Sequence, residues 1–219
     1  ELFHTLEVDV MRMMGKRTCF GLIIGTRGYF NAELALGVRR KLIEILAAKG
    51  YDYVIPPEDA TPCGALETRE HAKLASDLFR KHAEAIDGVI VVLPNFGDEL
   101  AVVQTLEMAK LNVPVLVQAC DDDIDKLSVA ERRDAFCGKL SVCNNLYQYG
   151  IPFTNTTYHT YAIESPEFER DLDHFAAVCR VVNGLRHARI GAIGARPAAF
   201  QTVRYSEKLL QTTGITVVP

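Results

Sequence analysis

The sequence lacks tryptophan, C-x-x-C pairs and long apolar runs. Because no uninterrupted apolar stretch approaches the roughly 20 residues that span a bilayer, and because no apolar segment follows a basic start, we expect neither a membrane partner nor a secretory signal. Six cysteines are scattered through 219 residues, and a chain of this size needs no disulfide staples, so free thiols are the better interpretation. These absences together predict a cytoplasmic protein.

A strong charge of one sign is also missing. The chain has 24 basic and 28 acidic residues and a net charge of −4, and both signs are spread along it. Nucleic-acid-binding proteins usually carry a basic stripe or patch, so we expect no nucleic-acid partner. With 48% hydrophobic residues, the composition is that of an ordinary globular protein rather than a disordered one.

Several well-known nucleotide-binding, catalytic and metal-binding motifs are absent as well. A dinucleotide fingerprint needs the spacing G-x-G-x-x-G, whereas Gly21, Gly25 and Gly28 stand four and three residues apart. The lysine loop of P-loop proteins and the G-x-S-x-G elbow of hydrolases are missing. The histidines show neither H-x-H nor H-x-x-x-H spacing, and Cys137 and Cys143 would lie on different faces of a helix. We therefore expect no metal site within this chain.

What the sequence does contain, from Thr18 onward, is a regular alternation of short apolar runs and longer segments with helical spacing. The apolar runs are rich in β-branched residues and predict buried strands at residues 19–24, 53–55, 89–93, 113–118, 151–154 and 189–193. The segments between them predict helices at about 34–49, 66–85, 99–110, 128–149 and 165–185. This alternation predicts an α/β fold with a doubly wound parallel sheet of about five strands, of the Rossmann or flavodoxin-like type.

A second unit of the same kind begins near Arg186. The stretch RIGAIGARPAAF repeats the order found in FGLIIGTRGYF, which is an apolar strand, a glycine, one residue, an arginine and the approach to a helix. The remaining residues suffice for only one β-α-β unit, which cannot close a core of its own. We therefore divide the chain into an N-terminal extension (1–17), an α/β domain (18–186) and the start of a second, truncated α/β domain (187–219). The chain is expected to be the front part of a longer protein.

Polar and aromatic residues follow the predicted strands, at the edge where parallel sheets bind their ligands. Arg27 follows the first strand, whereas Asn95, Phe96 and Asp98 follow the third. Arginine, amide and carboxylate groups pair with vicinal hydroxyls, and an aromatic ring covers the apolar side of a sugar. These four residues are therefore candidate substrate-binding residues for a polyhydroxylated ligand. In an alternative interpretation, Arg27 pairs with Asp98 and Phe96 belongs to the core.

Three long segments, GLIIGTRGYFN, DGVIVVLPNFGDE and ERRDAFCGKLSVCNNLYQYGIPF, resemble the N-terminal half of the L-fucose/L-arabinose isomerase family. The stretch at residues 171–210 resembles it too, so that the similarity covers nearly all of residues 18–219. This resemblance implies two N-terminal α/β domains and a C-terminal domain in an intramolecular oxidoreductase that interconverts a sugar aldose and ketose. It also implies a Mn²⁺ cofactor and a homo-oligomer, a trimer or hexamer in the full-length protein.

The resemblance also implies which residues act. The metal ligands of the family come from the later part of the chain, so they are expected beyond Pro219, and no catalytic residue is expected here. Arg27 matches an arginine of the fucose branch, and the loop at Asn95 and Phe96 matches an aromatic recognition position that faces a neighbouring subunit. Since the chain has no tryptophan, Phe96 offers stacking without an indole donor. The arabinose branch has a histidine near residues 137–139, which this sequence replaces by CGK, and this disfavours an arabinose-like specificity.

Two other functions stay open at this point. One is a non-catalytic sugar-binding or sensor α/β module, in which the loops around Arg27 and Arg196 would face each other across a cleft. The other is a flavodoxin-like nucleotide carrier, which predicts a bound flavin. A first loop suited to flavin would be rich in hydroxyl groups and glycine, whereas this one carries Arg27 and Tyr29.

Overall fold

A five-stranded, all-parallel sheet forms the centre of the protein in the computed structural model, which describes residues 16–194 and 196–219. Its strands are β1 (Cys19–Ile24), β2 (Asp52–Val54), β3 (Gly88–Leu93), β4 (Val115–Ala119) and β5 (Thr154–Asn155). They lie in the order β2-β1-β3-β4-β5, and every neighbouring pair is parallel. This is the strand order of flavodoxin-like sheets. Of the predicted N-terminal extension, residues 1–15 lie outside the described residues.

Helices cover both faces of this sheet. They are α1 (Ala32–Lys49), α2 (Arg69–Lys81), α3 (Glu99–Ala109), α4 (Ala135–Gln148) and α5 (Pro166–Arg186). One buried cluster joins α1 and α5 to the sheet, through residues such as Leu42 and Leu172. The other joins α2, α3 and α4, through Phe79, Val102 and Val142. The predicted α/β fold with a doubly wound parallel sheet is therefore confirmed.

The central strands are buried on both sides because their side chains alternate between the two clusters. In β1, Phe20, Leu22 and Ile24 point into the cluster under α1 and α5, whereas Ile23 points into the opposite one. All residues of β1, β3 and β4 are buried. Continuous apolar runs, rather than alternating polar and apolar residues, are what such doubly covered parallel strands require.

Two predicted helices had wrong boundaries. The helix expected at 128–149 begins only at Ala135, because Asp134 has a left-handed backbone (φ 49°) and Asp122 Oδ1 accepts the backbone N–H of Arg133 at 2.6 Å. The helix expected at 66–85 spans only Arg69–Lys81, and it starts late because Leu66 forms an isolated parallel bridge with Gly25 and Thr68 caps the helix. Both changes bring polar loop residues to the carboxyl edge of the sheet.

The chain continues after α5 into a smaller unit. Strand β6 (Arg189–Gly191), helix α6 (Glu207–Thr212) and strand β7 (Thr216–Val218) follow in the predicted order. The two strands pair in parallel and form a two-stranded sheet separate from the central one. Whether residues 187–219 open a second domain stays a prediction.

Membrane-spanning helices are not found in the part of the chain that the structure describes, since none of its helices combines the necessary length with sufficient hydrophobicity.

Candidate functional site

The predicted site residues lie together at the point in the central sheet where the strand order reverses. Strands β1 and β3 are neighbours, but β1 leads through α1 to β2 on one side, and β3 leads through α3 to β4 on the other. The two connections therefore leave the sheet toward opposite sides, and this position at the carboxyl ends of β1 and β3, called the crevice below, is the usual ligand site of open α/β sheets. Arg27 lies in the first loop, and Asn95, Phe96 and Asp98 lie in the second.

Glycines allow the loops of this crevice to touch through their backbones. Gly25 follows β1 and Gly97 follows β3, and a β-carbon on Gly97 would lie 2.9 Å from the carbonyl oxygen of Gly25. A β-carbon on Gly25 would lie 2.9 Å from Leu93 Cδ2. Gly138, in the first turn of α4, packs in the same way against the backbone of Phe96. Three segments that are distant in sequence are thereby brought into direct contact.

Hydrogen bonds fix these segments in place. The N–H of Asp98 donates to the carbonyl of Thr26 at 3.1 Å, and the N–H of Phe96 donates to the carbonyl of Arg133 at 2.7 Å. A second hydrogen bond joins the same two segments, since Nη1 of the Arg133 guanidinium donates to the carbonyl of Pro94 at 2.8 Å. The loop after β3 is thus held from both sides.

Arg27 is paired and stacked on the loop after β3. Its Nη2 donates to Glu99 Oε2 at 2.7 Å and lies 3.8 Å from Asp98 Oδ2. The guanidinium carbon lies 4.6 Å from the centre of the Phe96 ring, which is cation–π geometry. About a third of the Arg27 side chain remains exposed. The structure therefore brings together three of the predicted residues and adds Glu99, which the sequence interpretation missed.

Glu99 could have been found from its position in the helix. Asp98 is the N-cap of α3, and its Oδ1 accepts the N–H of Ala101 at 2.9 Å. Glu99 is the first helical residue, and a carboxylate in the first turn is stabilised by the partial positive charge of the helix N-terminus. An acidic residue at the first position of a predicted helix, directly after Asp98, could therefore have indicated Glu99 from the sequence.

Asn95 lies below the surface of the crevice. Its side chain is fully buried, and Nδ2 donates to Thr26 Oγ1 at 2.9 Å. A ligand in the crevice would not reach this amide while it holds the two loops together. The predicted role of Asn95 in substrate binding stays a prediction. Its hydrogen bond to Thr26 joins the loops after β1 and β3.

Lys139 is a second residue whose position the sequence did not indicate. It follows Gly138 on α4, is only 4% exposed, and donates from Nζ to Thr156 Oγ1 at 2.8 Å and to the carbonyl of His159 at 3.1 Å. Burial lowers the pKa of Lys139 to about 8, an effect that nearby Cys143 and Asp171 partly oppose. The lysine connects α4 to the loop after β5.

A cavity of about 720 Å³ opens beside the crevice, a size within the range of small-molecule pockets. Its walls come from α1, from the loop after β4 and from residues 162–164, and they include Arg133. Its lining contains carboxylates, a lysine, an arginine and aliphatic side chains. Another cavity, of about 500 Å³, lies at the amino ends of the strands, away from the predicted residues and from the edge where parallel sheets bind ligands.

A metal-ligand set is not formed by the described residues. Within 16–194 and 196–219, no three His, Cys, Asp or Glu side chains converge as they would around a metal ion. The sequence resemblance places the ligands of its implied Mn²⁺ beyond Pro219, and this cofactor stays a prediction.

Comparison with known proteins gives a family for this chain. The model of the fucose/sulfoquinovose isomerase N-terminal domain matches residues 21–186, which contain the whole central sheet apart from two residues of β1, and the crevice beside it. No curated protein sequence matches the chain. Since the family match covers more than half of the chain, this protein belongs to the fucose/sulfoquinovose isomerase family, a family of sugar isomerases, through its N-terminal domain.

Proposed function

We propose that residues 18–186 form the substrate-recognition part of a metal-dependent aldose–ketose isomerase. The observation that carries this proposal is the Arg27–Phe96 pair, which stands at the crevice of a domain from a sugar isomerase family. The family description names fucose, a neutral deoxy sugar, and sulfoquinovose, which bears a sulfonate. Either substrate would be converted between its aldose and ketose forms.

The chemistry of the crevice suits a polyhydroxylated ligand. The planar guanidinium of Arg27 carries several N–H donors, and the second carboxylate oxygen of Asp98 is an acceptor. The half-buried ring of Phe96 supports the guanidinium from below and adds an apolar surface. Because the loops are fixed by hydrogen bonds, these groups are held in place before a ligand arrives, which lowers the entropy lost on binding.

The remaining parts of the proposal concern the whole protein. A Mn²⁺ ion would be held by ligands outside the described residues, and the Arg27 loop would face the metal-bound sugar of a neighbouring subunit in a trimer or hexamer. A native mass of three or six subunits, measured on the full-length protein, would support this arrangement. A monomeric mass would contradict it.

The direct test is an activity assay of the full-length protein with Mn²⁺ and L-fucose, in which the ketose product is measured. Arg27→Ala should lower kcat/KM by about 10- to 100-fold, because it removes the donor groups, or about 1.4–2.7 kcal/mol of transition-state stabilisation. Phe96→Leu should raise KM more than it lowers kcat. As a matched control, Arg80→Ala removes a surface arginine of α2 that pairs with Asp77, and it should change neither constant.

The same assay distinguishes an isomerase from a non-catalytic binding module. Sugar binding that depends on Arg27 without any turnover would favour the non-catalytic sugar-binding or sensor function. An unchanged kcat/KM in Arg27→Ala would refute the role of Arg27 in an active isomerase.

A further inference from the structure

The positions at which this kind of fold binds anions are filled by the protein's own carboxylates. Doubly wound proteins hold phosphate groups on backbone N–H groups at the carboxyl edge of the sheet and at helix N-termini. Here the N–H of Gly28, after β1, donates to Glu67 Oε1, and the N–H of Ala101, at the start of α3, donates to Asp98. The N–H of Arg133, before α4, donates to Asp122.

The positive charge of Arg27 is likewise balanced by carboxylates of the protein. Its Nη2 contacts Glu99 at 2.7 Å and lies 3.8 Å from Asp98, so that two carboxylates surround one guanidinium. These three side chains carry a net charge of −1 at neutral pH. The hydrogen-bonding capacity of Arg27 remains available to hydroxyl groups, whereas its positive charge is already neutralised.

The other basic groups near the crevice also have partners within the protein. Arg132 Nε lies 3.3 Å from Asp134 Oδ2, and the Arg133 guanidinium donates to the carbonyl of Pro94. Lys139 is buried and donates to Thr156 and to the His159 carbonyl. The partners of Arg133 and Lys139 are neutral oxygens, which do not offset a positive charge. An anionic group placed beside Arg27 itself, however, would meet the carboxylates of Asp98 and Glu99.

We propose that Glu99 makes the Arg27 subsite select uncharged sugars and reject sugars that carry a phosphate or sulfonate group. The inference rests on the proposed function and adds a specificity-determining residue to it. A charged substituent near Arg27 would have to displace Glu99 from the guanidinium or accept its repulsion, while a hydroxyl can share the guanidinium with it. Rejection by like charge is a common means of specificity.

Glu99 is the residue to change because, unlike Asp98, it does not cap α3 with its side chain. Asp98 caps α3, so its removal would damage the helix. The carboxylate of Glu99 accepts only from Arg27 among the described residues. Glu99→Gln keeps the length of the side chain and an oxygen that accepts from Nη2, and it removes only the charge.

The test compares sulfoquinovose with quinovose, which is the same sugar without the sulfonate, by equilibrium binding to the full-length protein. The wild type should bind quinovose at least tenfold more tightly. Glu99→Gln should reduce this preference about tenfold, which corresponds to ~1.4 kcal/mol. The control Glu107→Gln, at the other end of α3 where the glutamate pairs with Lys110 at 3.6 Å, should leave the preference unchanged.

Each outcome decides the proposal. A wild type that prefers sulfoquinovose, a Glu99→Gln variant with an unchanged preference, or failure to bind either sugar would overturn it. Turnover of the same sugars is measured in parallel and tests the proposed function separately. Selective binding without turnover would contradict the isomerase proposal alone, and turnover with an unchanged preference would contradict the role of Glu99 alone.

Discussion

A β-carbon built on Gly97 would lie 2.9 Å from the carbonyl oxygen of Gly25. Real β-carbons do not approach a backbone oxygen so closely, and here the obstacle is backbone that cannot rotate away. Gly97→Ala should therefore push apart the loops after β1 and β3. We expect a loss of about 1–3 kcal/mol in the free energy of unfolding, measured by urea denaturation.

The matched control for this change is Gly37→Ala. Gly37 lies inside α1, and a β-carbon there meets no atom within 4 Å. Alanine is favoured over glycine in a helix by about 0.5–1 kcal/mol, so this variant should be as stable as the wild type or more stable. Equal stability of Gly97→Ala and Gly37→Ala would contradict the importance of the loop contact.

The buried Asn95–Thr26 pair predicts non-additive variants. Asn95→Ala and Thr26→Val each remove one partner of a buried hydrogen bond, and each should lower the free energy of unfolding by about 1–3 kcal/mol. The double variant should be little worse than either single one, because both remove the same interaction. If Asn95 instead contacts the substrate, Asn95→Ala should lower kcat/KM far more than Thr26→Val does.

The buried Lys139 predicts a dependence of stability on pH. Its pKa falls from 10.5 to about 8 on folding, mainly through burial. Between these values the unfolded chain binds the proton more strongly than the folded protein, so the free energy of unfolding rises with pH. Below pH 8 the lysine is protonated in both states, and the folded protein contains an unfavourable buried charge.

This effect can be isolated with Lys139→Met. The free energy of unfolding of the wild type, minus that of the variant, should increase between pH 8 and pH 10 by up to about 1.4 kcal/mol per pH unit. The subtraction removes the titration of all other groups that the two proteins share. A difference that stays constant over this pH range would show that Lys139 does not bury its charge.

The cysteines should differ strongly in reactivity. Burial raises the pKa of Cys19 and of Cys120 to about 11, and that of Cys179 to about 12, with the charge of Asp87 also contributing for Cys19 and Cys179. Cys137 is exposed. Since the thiolate is the reactive form, iodoacetamide at pH 8 should label Cys137 first and the three buried thiols only after unfolding. Rapid labelling that persists in Cys137→Ser would contradict this order, as mass spectrometry of peptides would show.

The sequence was sufficient to predict the architecture because the core of a parallel sheet is a local signal. Each central strand is a continuous apolar run, and helices between parallel strands leave few possible topologies. The short edge strands were less certain: β5 is only Thr154–Asn155, whereas residues 151–154 were expected. Edge strands make few contacts with the core, so their apolar pattern does not fix where pairing begins.

The arrangement of the candidate residues was predicted in part, because loops are arranged by contacts that sequence spacing does not reveal. The position of Arg27 beside Phe96 and Asp98 followed from the rule that strand ends meet at one edge. The pairing of Arg27 with Glu99, the burial of Asn95 and the late start of α4 depend on distant partners such as Thr26 and Asp122. At the start of the helix expected at 128–149, Ser128 Oγ donates to Glu131 at 2.8 Å in a turn that does not continue as a helix.

The cross-linked loops at the carboxyl edge also restrict motion. The backbone bond between Asp98 and Thr26, the Asn95–Thr26 pair and the Arg133–Pro94 contact join the loops after β1, β3 and β4 into one block. Such a block cannot open as a lid does, through a flexible loop on the nanosecond timescale. A ligand at this edge would therefore meet loops that are already in place, rather than wait for a flexible loop to close over it.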